Sequence, residues 1–165
     1  MKLFQRPKPG DGERHDYDLD EVKEVASQAR RLAIYDRPTG LFAYWYLQLR
    51  AAEEISRAHR HGKSVVCASI WAPTQLLIDE MCLRLRAGLR DHDLAAYLDN
   101  GHFVLLLTDT DDEGADIVLK RLLQGVPEVG AAAASFPIDG ATFDELLERA
   151  KARAGRGRAA SQSAA

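Results

Sequence analysis

Residues 90–107 read R-D-H-D-L-A-A-Y-L-D-N-G-H-F-V-L-L-L and form the most informative pattern in the chain. Two short apolar arms, Leu94–Leu98 and Phe103–Leu107, are separated by D-N-G. Asp, Asn and Gly tolerate positive φ and favour tight turns. The pattern therefore predicts two adjacent antiparallel strands joined by a hairpin. We expect the tip of this hairpin to suit a ligand site, because it lies on a rigid support.

The composition is that of one soluble domain. A chain of 165 residues is long enough for one core and short for two. Its formal net charge of -3 gives no field that favours nucleic acid. The two cysteines, Cys67 and Cys82, lack C-x-x-C spacing and lie in apolar segments, which predicts buried free thiols in a reducing compartment. There is neither a membrane span nor a signal-peptide core, so we expect a cytoplasmic location.

The ends of the chain differ from its middle. Residues 1–18 mix Pro, Gly and charge and are predicted to be disordered, as is the low-complexity tail, residues 155–165. We expect a leading helix over residues 19–35 and a folded domain over residues 36–154. The leading helix has one apolar stripe, which suits either docking on the domain or pairing with a second copy. The stripe consists of Val22, Val25, Ala26, Ala29, Leu32 and Ala33.

The remaining segments predict an α+β fold. Ser64–Trp71 is a near-continuous apolar run, typical of a strand buried on both faces. From there the order is strand, helix, strand, strand, helix, strand, helix, which is a βαββαβ core. We expect one mostly antiparallel sheet flanked by helices, packed mainly on one face, and preceded by a helix that begins at Phe42 with aromatic core residues. The later elements are predicted at residues 74–89, 111–124, 129–136 and from 142 or 143 to about 153.

The hairpin and its surroundings resemble GGDEF domains, the diguanylate cyclases. The family signature G-G-(D/E)-E-F corresponds here to Asp99, Asn100, Gly101, His102 and Phe103. The family motif R-x-x-D is matched by Arg90 and Asp93, and D-x-L-T-G-L is similar to D-R-P-T-G-L at residues 36–41. The resemblance extends over residues 32–153, and it implies a nucleotidyl-cyclase-like fold.

The resemblance also implies that cyclase chemistry is lost. In the family, an Asp at the end of the central strand and acids in the hairpin hold the metal ions that phosphoryl transfer needs. Here the strand ends S-I-W without a carboxylate, and the hairpin offers Gly101 and His102. An imidazole does not replace a hard oxygen ligand for Mg²⁺. A site formed by His59 and His61 is disfavoured, because residues two apart do not share a helix face. We therefore expect no catalytic residues, no metal site and no enzyme activity.

In the family, R-x-x-D forms the inhibitory site for cyclic di-GMP. The resemblance therefore assigns this ligand to Arg90 and Asp93, with Arg86 and His92 as further candidates. An arginine binds phosphate bidentately or stacks on guanine, and a carboxylate accepts hydrogen bonds from guanine N–H groups. The alternative is structural, with a helix-terminal arginine paired to an aspartate at the start of a strand.

Two functions follow from these readings. In the first, the domain is an inactive receptor for cyclic di-GMP that needs no other cofactor and relays the signal through protein contacts. In the second, it is a nucleotide-independent protein-interaction module. Both imply a protein partner or a homodimer.

Overall fold

The structure of the protein is a computed structural model that describes residues 19–163. The predicted disorder of residues 1–18 lies outside these residues. No helix in the described part of the chain combines the length and the apolar character needed to cross a membrane. The elements in chain order are α1 (Leu19–Ile34), α2 (Tyr44–His61), β1 (Val65–Trp71), α3 (Gln75–Gly88), β2 (Leu94–Tyr97), β3 (His102–Thr108), α4 (Asp112–Leu123), β4 (Gly130–Phe136) and α5 (Phe143–Ser163).

The four strands form one antiparallel sheet in the order β2-β3-β1-β4. The predicted hairpin is confirmed, with Leu94 opposite Leu106 and Tyr97 opposite Phe103. Its turn has positive φ at Asn100 (47°) and Gly101 (82°), the conformation that the D-N-G sequence favours. The strand predicted over residues 129–136 is also present despite its alanines, because pairing with β1 outweighs their weak strand propensity.

Helices cover both faces of the sheet. Alternate apolar residues of β1, such as Val66 and Ile70, pack with α3 and α4, whereas Val65 and Cys67 pack with α2 and α5. The prediction that the helices lie mainly on one face is therefore wrong. The physical reason is that the central strands β1 and β3 are apolar at nearly every position, so each face must be removed from water.

Both cysteines are buried free thiols, as the sequence predicted. Cys67 lies in the centre of β1 and is fully buried. This burial raises the pKa of the Cys67 thiol to about 12. Burial also raises the pKa of Cys82, and the nearby carboxylates of Asp79 and Asp36 act in the same direction. Neither thiol is therefore activated for chemistry at neutral pH.

Of the first and last helices, only α5 differs from its prediction. Helix α5 continues to Ser163 instead of ending near Arg153, so the predicted disordered tail is helical as far as residue 163. Helix α1 agrees with the predicted leading helix. Its stripe residues Val22 and Val25 are exposed, and so are Ala26 and Ala29. This part of the apolar stripe is therefore not covered by the described domain and is available to another molecule.

Asp139 and Arg153 join β4 to α5. Oδ2 of Asp139 accepts hydrogen bonds from the N–H of Ser135 at 2.9 Å and from the Arg153 guanidinium at 2.8 Å. The same guanidinium donates to Oδ1 of Asp139 at 2.5 Å and to the carbonyl of Ala133 at 2.7 Å. The hydrogen bond from Arg153 is the main reason that the pKa of Asp139 lies below its ordinary value of 3.8.

We predict that Asp139→Asn lowers the free energy of unfolding at pH 7 by about 1–2 kcal/mol, since it removes a charged acceptor from a pair whose arginine is partly exposed. Because the folded pKa is depressed, the contribution of Asp139 is complete above pH 3.8 and is lost as the pH falls through the lower, folded-state value. Urea unfolding at a series of pH values measures the gap between the two proteins. The control is Glu148→Gln, which neutralises an exposed carboxylate on α5, the helix that carries Arg153. An Asp139→Asn gap that stays constant down to pH 2 would contradict this account.

Candidate functional site

The Arg90–Asp93 turn follows α3 and leads into β2. Leu89 caps α3 by donating its N–H to the carbonyl of Leu85, and the N–H of Asp93 donates to the carbonyl of Arg90 at 3.0 Å. The carboxylate of Asp93 is buried. Its Oδ2 accepts from the N–H of Arg90 at 3.3 Å, and its Oδ1 accepts from the N–H of Thr108 at 3.2 Å. Asp93 therefore ties the turn to the end of β3.

Arg90 and Asp93 are thus in contact, but the aspartate bonds the backbone N–H of Arg90 and not its side chain. Within residues 19–163, the guanidinium of Arg90 has no carboxylate partner and is exposed. His92 is also exposed and contributes its carbonyl, which accepts from the Thr108 hydroxyl at 3.3 Å. Asp93 therefore has a structural role, but it acts through main-chain hydrogen bonds and not through the arginine–aspartate pair that the sequence suggested as the alternative.

Arg90 borders two cavities, each of about 330 Å³. The first lies between the end of α3 and the segment that joins α1 to α2. Its lining consists of Tyr35, Gly40, Leu41, Phe42, Leu85, Arg86, Leu89, Arg90, Asp91, Asp93 and Ala95. The second lies on the side of the β3–α4 loop and includes Lys63, Ser64 and Thr110. We refer to the first as the Arg90 cavity.

Arg86 lies in the wall of the Arg90 cavity. Its guanidinium covers Gly40, where an added Cβ would lie 3.2–3.3 Å from the guanidinium atoms. In the part of the chain that the structure describes, Arg86 forms no ion pair, so two cations without a carboxylate partner line the same cavity. Arg84, two residues earlier, faces away and donates to the carbonyls of Leu122 and Gln124. The predicted candidates Arg86 and Arg90 are therefore adjacent, whereas His92 does not line this cavity.

Another part of the lining is aromatic. Tyr35 directly follows α1 and forms a single antiparallel bridge with Phe42, and their rings stack with centroids 4.9 Å apart. Phe42 also bridges in parallel to Ala96, which brings this segment beside β2. The sequence analysis did not assign Tyr35, Phe42 or Asp91 to the site. The sequence signal for Tyr35 and Phe42 is that one aromatic residue stands on each side of the D-R-P-T-G-L turn.

The five signature positions of the hairpin do not line the Arg90 cavity. Phe103 is fully buried, and its ring packs edge-on against Tyr97. The carbonyl of Gly101 accepts from the N–H of Ala72 at 2.9 Å, and an added Cβ at Gly101 would lie 2.1 Å from the Ala72 oxygen. The tip of the hairpin is therefore filled by the backbone that follows β1.

No carboxylate lies at the end of β1. The chain passes directly from Trp71 through Ala72 and Pro73 to Thr74, whose hydroxyl caps α3 by accepting from the N–H of Leu77 at 3.3 Å. The first acid after the strand is Asp79, in the second turn of α3. Among the described residues, no three His, Cys, Asp or Glu side chains gather in a way that suits one metal ion.

Aromatic residues at the start of α2 were predicted to be core. Tyr44 and Tyr46 are partly buried against the core on the α2 and α5 side. Trp45 is an exception, because half of it is exposed. It lies on the outer face of α2, where a helix of this amphipathic pattern meets solvent.

We predict that Asp93→Asn lowers the free energy of unfolding by about 2 kcal/mol, because a buried backbone N–H loses its acceptor. Equilibrium denaturation with urea measures the change. Asp91→Asn is the matched control, since Asp91 is exposed two residues earlier and should leave stability unchanged. Equal stabilities of the two variants would rule out a structural role for the Asp93 carboxylate.

The sequence matches no protein-family model and no curated protein. Solved structures, in contrast, match over most of the chain. A sensory box/GGDEF family protein from Caulobacter crescentus has a TM-score of 0.66 at 22% identity, over 78% of this chain and 99% of that one. The diguanylate cyclase SiaD from Pseudomonas aeruginosa, solved with its activator SiaC, has a TM-score of 0.68 at 23% identity. That match covers 84% of this chain and 64% of SiaD, so the chain spans less than two thirds of the SiaD length.

A third similar structure contains the coiled coil and GGDEF domain of DgcB from Caulobacter crescentus in complex with cyclic di-GMP. It has a TM-score of 0.69 at 15% identity, over 81% of this chain and 85% of DgcB. At these identities the likeness establishes the arrangement of helices and strands. The chain therefore has the fold of a GGDEF domain.

Proposed function

We propose that this domain binds cyclic di-GMP in the Arg90 cavity and does not make it. The observation that carries the proposal is the pair of guanidinium groups, Arg86 and Arg90, in one cavity of about 330 Å³ without carboxylate partners among residues 19–163. That volume is within the range of small-molecule sites, which is roughly 300–1,000 Å³. The likeness to DgcB, a protein solved with this ligand, supports the same choice.

The chemistry of the lining suits a cyclic dinucleotide. Its phosphates are anions that arginine binds with paired N–H donors, and its guanines present N–H groups that a carboxylate accepts. Asp93 already accepts a backbone N–H at each oxygen, so we assign it to holding the Arg90 turn. Asp91 is exposed in the same cavity and is the carboxylate that we assign to guanine.

The ligand need not be confined to this cavity. Arg90 also borders the second cavity, where Lys63 adds a cation and Ser64 and Thr110 add hydroxyl groups. A cyclic dinucleotide has two phosphates and two bases, so one half would occupy the Arg90 cavity while the other extends past Arg90. We propose that Arg90, placed between the two cavities, contributes more to binding than Arg86.

We predict that isothermal titration with cyclic di-GMP gives saturable heat for the full chain. Arg90→Ala and Arg86→Ala should each weaken binding by about tenfold or more, because each removes a charged hydrogen-bond donor. Arg60→Ala is the matched control, since Arg60 is an exposed arginine on the last turn of α2 that bonds Ser56. Absence of heat from the unsubstituted chain, or an equal loss in Arg60→Ala, would overturn the receptor proposal.

We propose no synthesis because the hairpin and the end of β1 lack the acids that it needs. Cyclisation of GTP needs metal ions that oxygen ligands hold. The residues after β1 supply no carboxylate before Asp79, and the hairpin supplies Gly101 and His102 where the family has acids. The close contact between Gly101 and the Ala72 carbonyl also leaves little room for a phosphate at the tip.

We predict that purified protein incubated with GTP and Mg²⁺ forms no more cyclic di-GMP than a protein-free control. The variant His102→Glu should remain inactive, because restoring one acid leaves the end of β1 without its partner carboxylate. Chromatography of the nucleotides measures the product. Metal-dependent product from the unsubstituted chain would contradict the proposal.

The exposed stripe of α1 supports a second component of the function, pairing with another copy of the chain. Leu19, Val22, Ala26 and Ala29 are spaced by three, four and three residues, the pattern of a coiled-coil seam. Exposure of 72% at Leu19 and 49% at Val22 leaves this seam uncovered by the described domain. The DgcB structure joins a coiled coil to its GGDEF domain, which agrees with this reading. We propose that two α1 helices pair in parallel and carry the nucleotide signal to a downstream protein.

A further inference from the structure

Tyr35 belongs to both the Arg90 cavity and the base of α1. It is the first residue after α1 and lines the cavity together with Arg86 and Arg90. Its ring stacks on Phe42 with an interplanar angle of 22°, and 46% of the residue is exposed. A ligand in this cavity therefore meets the residue from which α1 departs.

The described backbone contacts that join α1 to the domain lie at this joint. The carbonyl of Ile34 accepts from the N–H of Ala43 at 2.7 Å, and the N–H of Asp36 donates to the carbonyl of Leu41 at 2.8 Å. Together with the Tyr35–Phe42 bridge, these contacts form a short two-stranded joint. Before this joint, Leu19 and the stripe residues Val22, Val25, Ala26 and Ala29 are exposed. The direction of α1 is therefore set at its C-terminal end, where the cavity begins.

We propose that Tyr35 is a base-stacking residue of the Arg90 cavity and that, through it, bound nucleotide favours the pairing of α1 helices. This inference rests on the proposed cyclic di-GMP site. An aromatic ring stacks on any nucleobase and is tolerant of its identity. Arg86 and Arg90 line the same cavity and would hold the phosphates there, which leaves the partly exposed Tyr35 ring to a base. The bound base then orders the Tyr35 ring and, with it, the joint at the end of α1.

The direction of the effect follows from the entropy of the joint. A helix held only at one end must lose freedom when it pairs with a second helix, and that loss opposes dimerisation. A ligand that has already ordered the joint removes part of this cost. Binding and pairing are then linked, so the ligand tightens the dimer by the same factor by which the dimer tightens the ligand.

The test measures two quantities on the full chain, namely heat of cyclic di-GMP binding by titration calorimetry and the monomer–dimer dissociation constant by analytical ultracentrifugation. For the unsubstituted chain, saturating cyclic di-GMP should lower the dimer dissociation constant by about fivefold or more. Tyr35→Ala should weaken nucleotide binding by about tenfold. When the concentration of cyclic di-GMP is raised until Tyr35→Ala is saturated, the dimer dissociation constant of this variant should equal its value without ligand.

Three variants keep the test decisive. Tyr35→Phe retains the ring and should behave as the unsubstituted chain, whereas Tyr35→Leu retains apolar volume at the joint and should behave as Tyr35→Ala. Trp45→Ala is the matched control, because Trp45 is another exposed ring that does not line the cavity. It should leave both measurements unchanged.

The outcomes separate the two proposals. If the chain binds cyclic di-GMP but its dimer constant is unaffected, or if Tyr35→Leu keeps the full shift, the role of Tyr35 is overturned while the receptor function stands. A chain that is monomeric with and without ligand also overturns the coupling. If the unsubstituted chain gives no heat with cyclic di-GMP, the receptor function itself fails, and the coupling fails with it.

Discussion

The carboxylate of Asp93 is the contact on which the geometry of the site depends. A buried carboxylate must have hydrogen-bond donors, and Asp93 takes one N–H from the turn after α3 and one from the last residue of β3. These two bonds fix the point at which the chain leaves the helix and enters β2 one residue later. Because Leu94 then pairs with Leu106, the register of the hairpin follows from the same constraint. Arg90 is left at the surface, with its backbone held and its side chain unpaired in the described chain.

Much of the fold could be predicted because local chemistry and tertiary packing agree. The D-N-G turn needs positive φ, and the structure has it at Asn100 and Gly101. The distribution of the helices over the two faces was predicted wrongly, since a strand apolar on both sides indicates burial without indicating which helices supply it. The end of α5 was also missed. Glycines at residues 155 and 157 argue for a helix end by propensity alone, yet the helix continues through them.

The site could be predicted in part. Arg90 follows from the R-x-x-D motif and Arg86 from its place one helical turn earlier, a spacing that Arg84 on the same helix does not share. Arg84 donates to carbonyls at the end of α4, whereas Arg86 faces the cavity. The aromatic wall was harder to foresee. Tyr35 is remote from Arg90 in sequence and reaches it only because Phe42 bridges to β2, a tertiary pairing that no local pattern encodes.

The clasp between Asp139 and Arg153 has a consequence for the outer border of the sheet. Strand β4 has a neighbour on one side only, and open strand borders recruit strands from other molecules. The outward N–H and carbonyl of Ser135 are both bonded to Asp139, and the outward carbonyl of Ala133 is bonded to Arg153. A foreign strand would have to displace an ion pair before it could add to this end of β4. The Ala133–Ser135 end of β4 is thereby protected against intermolecular sheet growth by two side chains that also anchor the last helix.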